Sequence, residues 1–332
     1  MADWQLEHPS KFPAKHWAQG PFYDGVMAIS KLPGGQKYEE AMLRMGKANG
    51  WKIGKSGFYA NDHCVGRTYC ELYFKSKQEF MIQPLREQLD TVVNMPVPPV
   101  QDFKDRASWK RWSWCDALYM ASPTWVRLYA ATHEKKYLDY MNTEWWAATE
   151  YLYDKEEHLF FRDSTYLWNG REHPRKEANG KKVFWGRGNG WVLGGLALVI
   201  QHFPKDHPDY PRYVTLFKEM SAKVLQCQHP DGMWGASMLD PERLSMKEAS
   251  ASGLFCYALA FGVNNGYLDR ATYEPAVKKS WTGLVGCVEP SGRLAYVQGV
   301  GQGPAEFSPQ GTEVYAPGIL LLAAAEMYKL VQ

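Results

Sequence analysis

The stretch Val183-Phe184-Trp185-Gly186-Arg187-Gly188-Asn189-Gly190-Trp191 leads directly into an apolar segment over residues 192–200. The apolar segment predicts a helix that is hydrophobic on every side and therefore buried. In the stretch before it, two indoles and one guanidinium can stack against a sugar ring and pair with an anionic group on it. Because glycine has no side chain, the backbone at these positions can approach a ligand closely. The alternative interpretation is a core helix with an aromatic N-terminal staple and a salt-bridged arginine.

Apolar residues recur with helical spacing along the whole chain, and strand-like alternation is nearly absent. The spacing predicts helices over eleven segments: 21–32, 36–50, 62–75, 77–93, 115–132, 135–152, 188–203, 211–228, 247–265, 270–287 and 312–330. Turn sequences separate these segments. Two of the turns begin the same short element about 60 residues apart, which indicates a weak internal repeat. They are His229-Pro230-Asp231-Gly232 and Glu289-Pro290-Ser291-Gly292.

Alternate predicted helices open with a cluster of reactive or hydrogen-bonding side chains. The six clusters are Tyr23/Asp24, Asp62/His63, Asp116, Arg187/Asn189, Glu248/Ser250/Ser252 and Glu313/Tyr315. Six such openings predict an all-α fold, an (α/α)6 barrel of six helical hairpins with apolar inner helices and amphipathic outer helices. The N-terminal ends of the inner helices would meet at one mouth, where their dipoles favour an anion. Each cluster taken singly also fits helix capping.

Size and charge restrict the class of partner. The chain of 332 residues shows no Pro/Gly/Ser-rich linker, so we expect a single domain over residues 1–332. The net charge is +2 and acidic and basic residues are interspersed, which argues against nucleic acid as a partner. We therefore expect a small, neutral or anionic ligand. The sequence leaves the oligomeric state open.

The sequence predicts neither a metal nor a cofactor. The nine histidines show no metal-ligand spacing, and phosphate-binding and dinucleotide-binding motifs are absent. The six cysteines form no CxxC pair, and several lie among apolar residues, which predicts buried thiols. No window reaches the length of a membrane span, and residues 1–15 contain no apolar signal-peptide core. We expect a cytoplasmic or periplasmic location, with the choice between them open.

Two carboxyl groups stand in aromatic, apolar surroundings. Asp116 lies in Trp112-Ser113-Trp114-Cys115-Asp116-Ala117-Leu118-Tyr119-Met120, and Asp163 lies in Phe160-Phe161-Arg162-Asp163-Ser164-Thr165-Tyr166. Two carboxyls that face one pocket push their proton affinities apart, so that one donates a proton while the other stays ionised. A carboxylate pair beside aromatic residues is typical of glycosidic chemistry. The alternatives are helix capping for Asp116 and a turn or an ion pair with Arg162 for Asp163.

Five motifs resemble glycoside hydrolase family 105, the unsaturated rhamnogalacturonyl and related unsaturated uronyl hydrolases. They are Phe184-Trp185-Gly186-Arg187-Gly188-Asn189-Gly190-Trp191, Asn61-Asp62-His63, Cys115-Asp116-Ala117-Leu118-Tyr119-Met120, Phe161-Arg162-Asp163-Ser164-Thr165-Tyr166 and Gly262-Val263-Asn264-Asn265-Gly266. The resemblance implies a six-hairpin α/α barrel. It also implies an oligosaccharide substrate, made by a polysaccharide lyase, with a 4-deoxy-4,5-unsaturated uronic acid at its non-reducing end.

The resemblance further implies roles for particular residues. Asp163 would be the general acid/base that protonates C4 of the double bond and activates water for attack at C5. Asp116 would orient the sugar and tune Asp163. We expect the indoles to stack on the sugar and the guanidinium and imidazole to bind its polar groups; the full substrate-binding set is Trp185, Trp191, Arg187, His63, Asp62 and Tyr23.

Some features depart from the family pattern, and other functions fit the same residues. Glu248-Ala249-Ser250-Ala251-Ser252-Gly253 has alanines where Thr and Gly are expected, and residues 169–182 form a charged insertion that we expect to be a mobile lid or aglycone-site loop. One alternative function is an inverting hydrolase of saturated glycosides that uses Asp116 and Asp163. Another is a non-catalytic sugar-binding barrel. The parent polysaccharide and the choice between glucuronyl and galacturonyl residue are not determined by the sequence.

Overall fold

The computed structural model describes residues 1–98, 101–168 and 174–332. Within these ranges the chain forms thirteen α-helices and one short antiparallel hairpin. The helices are α1 (Ala2–Glu7), α2 (Gly20–Ser30), α3 (Gln36–Asn49), α4 (Gly66–Ser76), α5 (Gln83–Val93), α6 (Ala117–Met120), α7 (Ser122–Thr132), α8 (Lys135–Leu152), α9 (Gly186–Ile200), α10 (Tyr210–Gln226), α11 (Ala249–Asn264), α12 (Arg270–Val285) and α13 (Tyr315–Leu330). The strands are β1 (Tyr153–Asp154) and β2 (Leu159–Phe160).

Six helices form a closed inner ring. In order around the ring, α2, α4, α7, α9, α11 and α13 each pack against the next, and α13 packs against α2. On the outside, α3 packs on α2, α8 on α7, α10 on α9 and α12 on α11, while α5 contacts α8 and α1 contacts α13. The predicted (α/α)6 barrel is confirmed.

The burial of the helices follows the predicted division into inner and outer layers. Every residue of α9 is buried, as is every residue of α11 as far as Val263. In the outer helix α10, the buried residues instead recur at intervals of three or four and form one stripe, made of Tyr213, Leu216, Phe217, Met220, Ser221 and Val224. Inner helices lie between two layers of protein, so only apolar and small residues fit on all their sides.

Glycine permits the contact that closes the ring between the first and last inner helices. A β-carbon on Gly318 would lie 2.1 Å from the carbonyl oxygen of Pro21, and one on Gly25 would lie 2.1 Å from the carbonyl oxygen of Gly318. Both separations are far below van der Waals contact. The approach of α2 to α13 therefore requires glycine at both positions.

The structure breaks two of the predicted helices at proline. The segment predicted over 115–132 is divided into α6 and α7, where Pro123 lies at the start of α7. The α-helix predicted over 77–93 begins at Gln83, next to Pro84, after a 3-10 turn over Glu79–Met81. Proline has no backbone N–H and is tolerated in a first helical turn. The first break leaves Asp116 directly before a four-residue helix, at the mouth of the barrel.

Several smaller predictions are also tested by the structure. All six cysteines are free thiols, five of them buried and Cys227 half-buried. The two turns of the predicted internal repeat share the same hydrogen bond, since Gly232 N–H donates to the His229 carbonyl and Gly292 N–H donates to the Glu289 carbonyl. Among the described helices, none has the length and apolar character needed to cross a membrane.

Candidate active site

A cavity of about 240 Å³ lies at the end of the barrel where the inner helices begin. Its lining comes from the starts of α6 and α9 and from segments that precede α2, α4 and α13, together with Arg162. Of the six predicted clusters, only those of Asp116 and Arg187 supply residues to this lining. The lining residues are Trp17, Tyr59, Asn61, Trp114, Asp116, Met120, Arg162, Trp185, Arg187, Trp191, Val300, Gly301 and Gln302. Pockets for drug-sized ligands measure about 300–1,000 Å³, so this smaller cavity suits a single sugar ring.

Asp116 presents the carboxyl group of this cavity. It directly precedes α6 but makes no capping hydrogen bond with its side chain, which removes the alternative of a simple N-cap. The carboxyl is 12% exposed, with Cys115 Sγ 3.5 Å and Arg162 Nε 3.8 Å from Oδ2. Burial raises the pKa of Asp116, opposed by the positive charges of Arg162 and Arg187. A carboxyl in this state holds its proton to higher pH than an exposed aspartate and can donate it.

Asp163 lies outside the lining of the cavity. The segment that carries it pairs with the segment before α6, through Cys115 N–H to the Arg162 carbonyl at 2.8 Å and a bridge between Trp114 and Asp163. Asp163 Oδ1 caps the following 3-10 helix by accepting from Thr165 N at 2.7 Å, and Oδ2 accepts from Arg162 Nη1 at 2.6 Å.

Of the two carboxyls expected to face one pocket, only Asp116 lines the cavity; Asp163 is 2% exposed and does not. Both carboxyls nevertheless contact the same guanidinium, since Arg162 Nη1 lies 2.6 Å from Asp163 Oδ2 and Arg162 Nε lies 3.8 Å from Asp116 Oδ2. The pairing of the two carboxyls in one reaction stays a prediction. The contacts of Asp163 are those of the alternative given for it, an ion pair with Arg162 and a hydrogen bond within a turn.

Two polar atoms in the cavity wall lack hydrogen-bond partners among the described residues. Arg162 Nε and Asn61 Oδ1 are both buried and form no hydrogen bond within that part of the chain, although Arg162 Nε lies 3.8 Å from Asp116 Oδ2. The Arg162 guanidinium lies 4.0 Å from the centre of the Phe103 ring, and Asn61 Nδ2 donates to the Tyr59 hydroxyl at 2.9 Å. Buried polar groups are rarely left unpaired. These two atoms, one donor and one acceptor, are available to a polar ligand.

Trp185, Arg187 and Trp191 line the cavity together. Arg187 lies between two rings, 4.5 Å from Trp185 and 5.1 Å from Tyr315, and donates to the carbonyls of Gln298 and Gly299 at 2.5 and 2.7 Å. No carboxylate of the described residues forms an ion pair with Arg187, so the alternative of a salt-bridged core arginine does not hold there. Its charge is available to an anionic ligand; its role in binding stays a prediction.

His63 does not contact the cavity. Its ring is fully buried, Nε2 is bonded to the Gly57 carbonyl, and Nδ1 accepts from Trp125 Nε1 at 3.0 Å. Burial lowers the pKa of His63 to about 4, so the ring is neutral near pH 7. Since both ring nitrogens are occupied, the expectation that His63 binds the substrate is corrected to a structural role that holds the loop before α4.

Tyr23 and Asp62 are likewise engaged outside the lining. The Tyr23 hydroxyl donates to the Ala14 carbonyl at 3.0 Å and the residue is buried. Asp62 Oδ2 accepts from Ser56 N at 2.8 Å, and burial raises the pKa of this carboxyl. Neither residue lines the cavity, and the direct contact with substrate expected of both stays a prediction.

Sequence reasoning missed several residues that line the cavity. Asn61 and Trp114 belong to the same stretches as Asp62 and Asp116. Asp116 lines the cavity beside Trp114, whereas in the other stretch Asn61 lines it and Asp62 does not. Tyr59 is in ring contact with Trp114 and Trp109, and burial raises the pKa of Tyr59 to about 12. Residues 300–302 approach from the segment before α13, and their sequence carries no sign of this contact.

The structure describes only part of the predicted lid over residues 169–182. Residues 169–173 of the insertion lie outside the described residues. In the remainder, Glu177 is buried, and its carboxylate accepts from Ser237 Oγ at 2.6 Å and from Arg243 Nη2 at 3.0 Å. These bonds tie Glu177 to the segment between α10 and α11. The mobility of the insertion stays a prediction. Among the described residues no group of three or more potential ligands could hold a metal ion.

The helical barrel, its indole-lined cavity and the carboxyl at its mouth define a carbohydrate-active enzyme. The chain belongs to Glycosyl Hydrolase Family 88, whose family model matches residues 2–331, and it is a glycoside hydrolase. The resemblance seen in the motifs is thus confirmed.

Two relatives share the name unsaturated 3S-rhamnoglycuronyl hydrolase. The protein from Formosa agariphila is 38% identical to this chain, covering 99% of the chain and 88% of the relative. The protein from an Alteromonas species is 33% identical, covering 95% of the chain and 78% of the relative.

Solved structures show the same fold. A Bacteroides vulgatus protein described as glycosyl hydrolase family 88 superposes with a TM-score of 0.86 at 27% identity, over 97% of this chain and 95% of that one. A structure described as a polysaccharide lyase superposes with a TM-score of 0.86 at 32% identity, over 99% and 94%. A possible family 105 member from Salmonella enterica shares the fold at 20% identity, with a TM-score of 0.79 over 96% and 84%.

Proposed function

We propose that this glycoside hydrolase removes a 4-deoxy-4,5-unsaturated uronic acid from the non-reducing end of oligosaccharides released by a polysaccharide lyase. The names of the two relatives support this substrate class. The observation that carries the proposal is the Asp116 carboxyl, with its raised pKa, inside a cavity of single-sugar size walled by indoles.

In the proposed mechanism Asp116 is the proton donor, the role that the resemblance implied for Asp163. Asp116 gives its proton to C4 of the double bond, and the positive charge that develops at C5 is stabilised by the ring oxygen. Water adds at C5 and returns a proton to the Asp116 carboxylate, so that the acid is regenerated. The resulting hemiketal opens to a ketone and expels the remaining sugar chain as an alcohol.

The other polar residues act on binding. We assign the uronate carboxylate to Arg187, because a guanidinium pairs with a carboxylate in a planar, two-point geometry. Trp185 and Trp191 pack on the faces of the sugar, and Asn61 Oδ1 accepts from one of its hydroxyls. Asp163 orients Arg162 through their ion pair.

The number of carboxyls in the cavity separates this mechanism from its main alternative. An inverting hydrolase of saturated glycosides needs two carboxyl groups on opposite sides of the scissile bond, about 6.5–9.5 Å apart. Among the described residues that line the cavity, Asp116 is the only acidic one. Hydration of a double bond needs one carboxyl that gives and then recovers a proton, which is what the cavity offers.

We further propose that rhamnose is the sugar next to the uronic acid, since both relatives are named rhamnoglycuronyl hydrolases. The net charge of +2 gives no basic surface field suited to nucleic acid, so the partner we propose is the oligosaccharide alone.

Solvent deuterium provides the test. Lyase-generated oligosaccharides are incubated with the enzyme in D2O, and the loss of ultraviolet absorbance of the alkene is followed beside NMR of the released uronic acid. Hydration predicts absorbance loss with one deuterium at C4. Release of the sugar without deuterium at C4, or turnover of saturated nitrophenyl glycosides, would support the inverting hydrolase instead. A gain in absorbance on intact polymer would indicate lyase activity.

A further inference from the structure

Gln298 lies between α12 and α13, and its side chain is bonded at both ends. It is only 4% exposed. Its Oε1 accepts from Trp185 Nε1 at 2.8 Å, and its Nε2 donates to the Gly303 carbonyl at 3.0 Å. One side chain thus links an indole of the cavity wall to a glycine on the far side of a short loop.

The backbone of Gln298 is bonded to the same cavity. Its carbonyl accepts from Arg187 Nη1 and from the Tyr315 hydroxyl, each at 2.5 Å. Its N–H donates at 3.0 Å to Glu248 Oε1, the buried carboxylate that caps α11. Gln298 is therefore fixed to the starts of three inner helices, α9, α11 and α13.

The loop that follows Gln298 forms one wall of the cavity. We call residues 299–303 the strap; Val300, Gly301 and Gln302 within it line the cavity. Its far end is held by the Tyr166 hydroxyl, which donates to the Gln302 carbonyl at 2.8 Å. The strap contains three glycines and little that could fix its shape from within. Its position consequently depends on the bonds at its two ends.

We propose that Gln298 is a positioning residue that sets the plane of the Trp185 indole and the position of the strap as one unit, and so determines how tightly the cavity holds the terminal sugar. The inference rests on the proposed function for its substrate. Gln298 does not line the cavity, so its effect passes through Trp185 and the strap. Loss of the amide would loosen two walls at once without touching Asp116.

The test compares Gln298→Met, which keeps the length of the side chain and removes both amide bonds, with Gln228→Met. Gln228 Nε2 also donates to two carbonyls, those of Gly232 and Ala276, each at 2.9 Å, in a turn that follows α10 and contributes nothing to the cavity lining. The two variants therefore remove comparable bonds, one beside the site and one remote from it. A thermal melt of each variant shows whether the fold is retained.

We expect Gln298→Met to raise KM and lower kcat/KM by roughly 10- to 100-fold, the scale of effect of a misplaced binding wall, with kcat changed much less. Gln228→Met should keep wild-type kinetics. In a double-mutant cycle, Gln298→Met should cost less in a Trp185→Phe background, because phenylalanine has no N–H to position and only the bond to the strap is left to lose.

Equal KM for Gln298→Met and wild type, or an unchanged cost in the Trp185→Phe background, would overturn the positioning role while leaving the proposed function intact. Absence of turnover by the wild-type enzyme on every lyase product would instead count against the proposed function. The two failures are thereby distinguished.

Discussion

At the scale of the residue, the same substitution, aspartate to asparagine, distinguishes the catalytic roles of Asp116 and Asp163. Asp116→Asn should lower kcat by about 100- to 10,000-fold, the contribution of a general acid. Asp163→Asn should lower it much less, because asparagine caps a helix as well as aspartate does and the residue lies outside the cavity lining. Absorbance assays of the two variants, with circular dichroism to check the fold, decide between them; the reverse order would return the proton-donor role to Asp163.

The pH dependence of the enzyme should also report on Asp116. The raised pKa of this carboxyl means that activity is present at low pH and is lost as the pH rises through that pKa, when the proton needed at C4 is gone. The charge of Arg162 lowers the pKa of Asp116. The neutral pair Arg162→Gln/Asp163→Asn should therefore move the alkaline limb of kcat/KM to higher pH. A limb that stays in place, or moves down, would show that another group controls it.

His63 should affect stability and not turnover chemistry. Its pKa falls to about 4 in the folded protein from 6.5, so between these values the unfolded chain binds a proton that the folded chain does not. Stability from this residue is complete above pH 6.5 and is lost as the pH falls toward 4, by up to about 3 kcal/mol. Urea unfolding at pH 7 and pH 4.5 should show a flatter pH dependence for His63→Gln. The exposed His8→Gln serves as the control and should keep the wild-type slope.

At the scale of the element, the crossing of α2 and α13 should be the most sensitive to a single methyl group. Gly318→Ala places a β-carbon 2.1 Å from the Pro21 carbonyl, and we expect a loss of at least about 1–3 kcal/mol in unfolding free energy, as for overpacked cores. Gly286→Ala is the matched control, since the nearest atom to its β-carbon is 3.4 Å away and the residue is exposed. Similar melting temperatures for the two variants would contradict the close approach of these helices.

The positions of the helices were largely predictable from the sequence, but the places where helices are interrupted were not predicted. The segment predicted over 135–152 coincides with α8, and that over 270–287 ends two residues beyond α12. The break before Ser122 was missed although Pro123 marks it, because apolar spacing continues across the proline. Periodicity reports which face is buried and says little about where the backbone bonds are interrupted.

At the scale of the whole molecule, we propose that residues 1–332 unfold as one domain. The contact of α13 with α2 closes the ring between the two ends of the chain, so neither half can bury its inner helices alone. Unfolding in urea should give one transition with the same midpoint by far-ultraviolet circular dichroism and by tryptophan fluorescence. Two separate midpoints would show independent domains.

The sequence by itself determined the helices, their division into inner and outer layers, and the stretches that carry Asp116 and Arg187. These depend on the spacing of apolar residues and on short local patterns. Only the tertiary structure decided which side chains face the cavity. Asp116, Arg162 and Gln298 acquire their surroundings from residues far away in the chain, and the choice between neighbours such as Asn61 and His63 depends on hydrogen bonds to Gly57 and Trp125. The direction of a side chain is set by packing and by partners that a linear pattern does not contain.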